Sequence, residues 1–140
     1  MHIKLLLCFL LLGNILQAQN TAINAIKKVL NKQTEAWNTG KVEAFMEGYL
    51  KTDSLMFIGK TGITYGYNNT LANYKKGYPD TAAMGKLNFN LLEFKKLGNE
   101  FYFVVGKWFL KRSIGNVGGH FTLLFKRIKR QWVIIADHSS

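Results

Sequence analysis

Between positions 21 and 38 apolar residues fall at Ile23, Ile26, Val29, Leu30, Ala36 and Trp37, the three-and-four spacing of a helix with one buried face. Gly40 supplies its stop. Val42, Phe45, Met46 and Tyr49 repeat the spacing over a shorter helix that closes around Leu50. Residues 55–58 read as a short strand, and Ile63-Thr64-Tyr65 as a second one beyond a turn-rich stretch. A third helix is predicted from Asn68 or Asn69, whose side chains can cap it, through Leu71 and Tyr74 to a stop at Gly77 and Pro79. From there the pattern changes to strands at about 86–97, 101–112, 119–129 and 131–138, with Leu97-Gly98-Asn99-Glu100 as a tight hairpin turn.

The segment Phe101 to Leu110 is apolar at odd and even positions alike, so both faces of this strand require cover, as in a central strand. Helices first and long antiparallel strands afterwards is an α+β plan: a curved, mixed or antiparallel sheet packed on three helices from the first half of the chain. A sheet curved in this way encloses an interior.

Composition adds a destination. Lys4, the apolar run Leu5 to Leu12 and Leu16-Gln17-Ala18 have the form of a secretory signal with cleavage before Gln19, and the run is too short to span a bilayer. The expected organisation is therefore a signal over 1–18 and one domain over 19–140, exported to the periplasm or secreted, with no transmembrane segment in the mature chain. Leu7 precedes Cys8 where a lipoprotein signal has a small residue, so lipid attachment is not expected. Cleavage removes the only cysteine, and the mature chain has no disulfide to rely on. The formal charge of +11 loses one of its nineteen basic residues with the signal and none of its eight acids, leaving +10. Such an excess suits an anionic small molecule, an anionic surface in the envelope or simple solubility, while export and the lack of a recognition-helix pattern argue against nucleic acid. The run Lys126-Arg127-Ile128-Lys129-Arg130 falls at a hairpin end and reads as a solvated turn.

At this point the residues carry a resemblance. Ala36-Trp37-Asn38, Gly62 through Gly66, Tyr78-Pro79, Gly106-Lys107-Trp108, Gly119-His120-Phe121-Thr122-Leu123 and the terminal Trp132…Asp137-His138-Ser139-Ser140 resemble, in this order, the SnoaL-like branch of the nuclear transport factor 2-like superfamily. What the resemblance implies is a cone: a bent sheet plugged by its helices, with a pocket used in different members for isomerisation, cyclisation, dehydration, ligand binding or subunit assembly. Fold alone selects none of these.

The candidate chemistry follows from side-chain parity. In the last strand Trp132, Ile134, Ala136 and His138 share one face, so a Trp132 packed inward sends His138 into the mouth of the cone and Asp137 to the other side. His138 is then the expected acid-base or hydrogen-bonding group, with Asp53 beside the first strand as a second catalytic candidate. Trp37, Tyr49, Tyr65, Trp108 and Phe121, with His138, are the expected ligand-binding set, since small-molecule sites are mostly apolar with a few polar tips. No metal is expected, because the mature chain has no cysteine and only His120 and His138 on different strands; nor is a cofactor, because no phosphate loop precedes a helix. The functional expectation is a small-molecule-binding domain, with cofactor-free acid-base catalysis of the isomerase or dehydratase kind as the first alternative. The other is a homodimeric interaction module built on the doubly apolar strand.

Overall fold

The computed structural model describes side chains over residues 17–140; the expectations for Lys4, the apolar run and Cys8 fall outside the described residues. Helix α1 (His2–Asn38) and α2 (Val42–Met46) lead into strands β1 (Met56–Gly59) and β2 (Gly62–Tyr65), then α3 (Tyr67–Gly77) and α4 (Thr81–Met84). Strands β3 (Lys86–Lys96), β4 (Phe101–Lys111), β5 (Val117–Ile128) and β6 (Gln131–Ser139) complete an α+β fold. The sheet runs β2-β1-β6-β5-β4-β3 and is mixed: every neighbouring pair is antiparallel except β1 and β6, which are parallel. No helix among the described residues is long and apolar enough to cross a membrane.

Two elements depart from the expected pattern. Helix α3 begins at Tyr67 with Gly66 in the cap position, and the Asn69 side chain instead donates to the Tyr65 carbonyl at 2.9 Å. A fourth helix, α4, is a single turn after Pro79. Asp80 caps it by accepting from the Ala83 amide at 2.8 Å, which satisfies one of the donors a helix start leaves free.

Helix α1 lies antiparallel along β3. At its C-terminal end Asn38 clamps Leu87 twice, donating to its carbonyl at 3.1 Å and accepting from its amide at 2.6 Å, while the Trp37 indole donates to the Met84 carbonyl at 2.9 Å. About three turns upstream, Lys27 sits 5.5 Å above the Phe94 ring. The face so positioned buries Ile26, Leu30 and Trp37 against Tyr102, Val104, Phe125 and Ile134 from the sheet. Fully burying a large apolar side chain contributes about 1.5–3 kcal/mol.

The sheet curls because two strands carry an extra residue. Leu91 pairs with Gly106 but Glu93 with Val105, so Leu92 is supernumerary in β3; Phe125 pairs with Ile134 but Leu124 with Ala136, so Ile135 is supernumerary in β6. Such bulges bend a strand and increase its twist. On the convex side register sets Phe103 beside Leu124, Leu124 beside Ala136 and Ala136 beside Met56, a half-buried apolar row across four strands. The basic run closes the β5–β6 hairpin as an exposed turn, with Lys129 and Arg130 both at positive φ, 47° and 66°.

Candidate functional site

The concave face of the sheet and the inner faces of α1 and α3 enclose an open cavity of about 530 Å³. Aromatic rings and leucines make much of its wall, with Gln33, Thr70 and Asn73 among its polar positions. Trp37 and Phe45 come from the helices, Phe57 from β1, Phe89 from β3, Trp108 from β4 and Phe121 from β5. Tyr74, on the last turns of α3, is the hub of the cluster, with ring centres 5.3 Å from Phe45, 5.6 Å from Phe57, 5.9 Å from Trp37 and 6.1 Å from Tyr78. Three of these contacts are edge-to-face with Phe or Trp, the arrangement that aromatic quadrupoles favour. Gly106 lets Phe121 lie flat across β4: a Cβ there would stand 2.3 Å from Phe121 Cζ.

One carboxyl group is set into this apolar wall. Asp137 is 4% exposed, its Oδ2 accepts from the Tyr49 hydroxyl at 2.7 Å and its Oδ1 from the Ser139 hydroxyl at 2.8 Å. Because Tyr49 gives its proton to Asp137, its oxygen is left to accept, and Tyr74 Oη stands 3.5 Å away. Burial pushes the Asp137 carboxyl up from 3.8 to about 6, against the opposing effect of the two hydroxyl donors and of the neighbouring His138 charge. Burial, reinforced by the Asp137 charge, raises the Tyr49 and Tyr74 phenols well above 10. Both remain hydrogen-bond donors at any physiological pH. The indole N–H groups of Trp37 and Trp108 are already given to the carbonyls of Met84 and Ser140, so the two indoles present only apolar surface to the cavity. Lys76 and Asp137 are the charged residues of the lining, and Lys76 is exposed at the rim.

Four of the six expected ligand-binding residues, Trp37, Tyr49, Trp108 and Phe121, line this cavity. Tyr65, 58% exposed, and Asp53, exposed ahead of β1, do not reach it. His138 is also outside. It lies exposed on the convex face, between Thr122 of β5 and Ile58 of β1 in register. The cause is the supernumerary Ile135: Trp132 and Ile134 point inward as the alternation requires, the extra residue shifts parity by one, and Asp137 and Ser139 take the inward positions beyond it. The bulge sits where β6 changes neighbours. Ile134 exchanges backbone hydrogen bonds with Gly48 and Leu50 at 2.9 and 2.8 Å, and two residues later Ala136 pairs with Met56 of β1. The sequence signal that points to it is the unbroken apolar run Val133-Ile134-Ile135-Ala136, in which alternation on a half-exposed strand has lapsed.

No family model matches the chain, and no curated protein is similar to it. Solved structures are. The chain is 44% identical to an NTF-2-like protein of unknown function from Shewanella oneidensis MR-1, over 85% of this chain and 98% of that one, with a TM-score of 0.81. A nuclear transport factor 2 (NTF2-like) superfamily protein from Salmonella enterica serovar Typhimurium is 14% identical over 87% of this chain and 92% of that one, with a TM-score of 0.69. A ketosteroid isomerase-like protein from Erwinia carotovora atroseptica is 14% identical over 84% and 93% of the two chains, with a TM-score of 0.63.

Proposed function

This chain belongs to the nuclear transport factor 2-like superfamily, and from that premise we propose that its concave cavity binds a small, largely apolar molecule whose one polar group is held at Asp137. A single observation carries the reading: a buried carboxyl with two hydroxyl donors, set in a cavity whose surface is mostly apolar. Core carboxylates are scarce because removing the charge from water is costly, and one that opens onto a cavity of ligand size is a binding-site candidate. The positive excess that favoured an anionic ligand lies outside the cavity, with Lys76 alone at the rim, so the reading places any anionic group of the ligand at the mouth and a donor or neutral group at the depth. The SnoaL-like assignment and export to the periplasm or beyond belong to the same proposal and rest on motif order and on the leader.

A thermal-shift screen of cyclic alcohols, ketones and amines on the wild-type protein, followed by calorimetry of the hits, tests it. Replacing Asp137 by Ala is expected to weaken the hits by about 1–3 kcal/mol, the cost of leaving a buried polar partner unpaired. Absence of any hit, or equal affinity in the variant, overturns the reading.

The same carboxyl supports cofactor-free acid-base catalysis as a second reading. A group titrating near 6 is poised to take and return a proton at neutral pH, a role that passes from His138 and Asp53 to Asp137, with Tyr74 as the donor to a developing negative charge. Turnover of an enolisable ketone, lost in Asp137→Asn, distinguishes this reading from binding alone.

A further inference from the structure

Asp137 lacks a counter-ion. The chain holds nineteen lysines and arginines, yet among the described residues the one ion pair is Lys75 with Glu43 at the surface, and no basic side chain reaches the buried carboxyl. Its partners are neutral: Tyr49 and Ser139 by direct hydrogen bond, Tyr74 behind Tyr49. His138, whose charge acts on it, lies on the far side of the same strand, and Lys76 stands at the cavity rim. A desolvated anion surrounded by hydroxyls and hydrocarbon remains electrostatically unsatisfied, and it faces a cavity.

The rings around that cavity are unsatisfied in the matching sense. An aromatic face is negative and attracts cations, most strongly when both are out of water. Among the described residues three such contacts are made with the protein's own lysines, Lys27 over Phe94 at 5.5 Å, Lys51 over Tyr67 at 5.8 Å and Lys126 over Phe101 at 5.6 Å, and all three rings lie outside the cavity. Inside it, Trp37, Phe57, Tyr74, Phe89 and Trp108 have no cation, and the two tryptophans have spent their N–H groups on backbone.

We propose that the ligand's polar group is cationic: a protonated or quaternary amine, carried on an apolar frame, that pairs with Asp137 and packs against the cavity's aromatic faces. This rests on the binding reading above and narrows it to a ligand class. The net positive charge of the chain opposes the approach of a cation from a distance, but at physiological ionic strength that field is screened beyond about 8 Å. Selectivity is therefore set inside the cavity.

Calorimetry of the full-length protein with benzylamine and benzyl alcohol, which share size and frame and differ in charge, tests it across pH 5–8. Wild type is expected to bind the amine at least about tenfold more tightly than the alcohol at pH 7.5, the preference shrinking below about pH 6 as Asp137 takes up a proton. Asp137→Asn keeps the shape while removing the charge, so it is expected to erase the preference for the amine over the alcohol. Equal affinities in wild type, or a preference that survives in Asp137→Asn, overturn the cationic ligand while leaving the pocket a binding site. Binding of neither probe at millimolar concentration overturns both.

Discussion

At the scale of single residues the molecule turns on where two neighbours, Asp137 and His138, point. The aspartate is inside and carries an energetic cost there. Its folded-state value of about 6 lies above the unfolded 3.8, so the protonated form is favoured by folding. The resulting stabilisation is complete below the unfolded value and is lost as pH rises through about 6. Between pH 4.5 and 7.5 the group alone withdraws about 2 kcal/mol of stability. Asp137→Asn has no proton to lose and keeps acceptor and donor for Tyr49 and Ser139. Urea unfolding is expected to show its stability rising relative to wild type by that amount over this pH range; parallel pH profiles of the two proteins would exclude the buried, ionisable state.

The elements themselves were legible in the hydrophobic pattern, and the reason is burial. Ile23, Ile26, Leu30 and Trp37 in α1, and Val42, Phe45 and Met46 in α2, all pack on one core, so periodicity and structure coincide. Four residues of the cavity were legible for the same reason: large aromatics at inward positions of regular elements. What the pattern hid depends on contacts made elsewhere in the chain. The bulge at Ile135 arises because Gly48 and Leu50 hold the β6 backbone on one side of it and β1 on the other, a long-range arrangement that local alternation does not encode. Helix α4 is too short to have a period, and only its Asp80 cap announces it. A deletion pair tests the bulge. Removing Ile135 leaves Trp132, Ile134, Asp137 and Ser139 on one face of a regular strand, whereas removing Val133 forces Trp132 or Ile134 out of the core. The first deletion is expected to cost less than about 2 kcal/mol and the second at least about 3 kcal/mol, as for loss of a large core side chain. The reverse order in thermal melts would show that Ile135 is an ordinary ladder residue.

At the scale of the molecule the cone has an inside that the chain fills only in part and an outside it leaves partly apolar. Phe103, Leu124, Ala136 and Met56 form the half-buried row on the convex face, and Phe109, 44% exposed, flanks it. A second copy covering this face would make a homodimer, and light scattering at micromolar concentration is expected to give twice the monomer mass, falling to the monomer in Phe103→Lys. A monomer in wild type would mean the face is tolerated in water. Cleavage before Gln19, proposed above, is expected to leave the cone intact. Among the described residues the first side chains packed on the core belong to Ala22 and Ile23, while Gln17, Ala18 and Asn20 are exposed, so a chain starting at Gln19 is expected to melt within about 1 kcal/mol of the full-length protein. Intact mass of the exported protein checks the start point, and a marked loss of stability would assign the leader a structural part. The parallel pairing of β1 with β6 has a kinetic consequence. Strands β3 to β6 zip by consecutive hairpins, but β1 meets β6 across some eighty intervening residues, so its loop-closure entropy is paid latest in folding and recovered first when the protein breathes. The wall carrying Phe57 is then a door: amide protons of Met56 to Gly59 should exchange at least about tenfold faster than those of Val104 and Phe121, and ligand exchange should keep time with them.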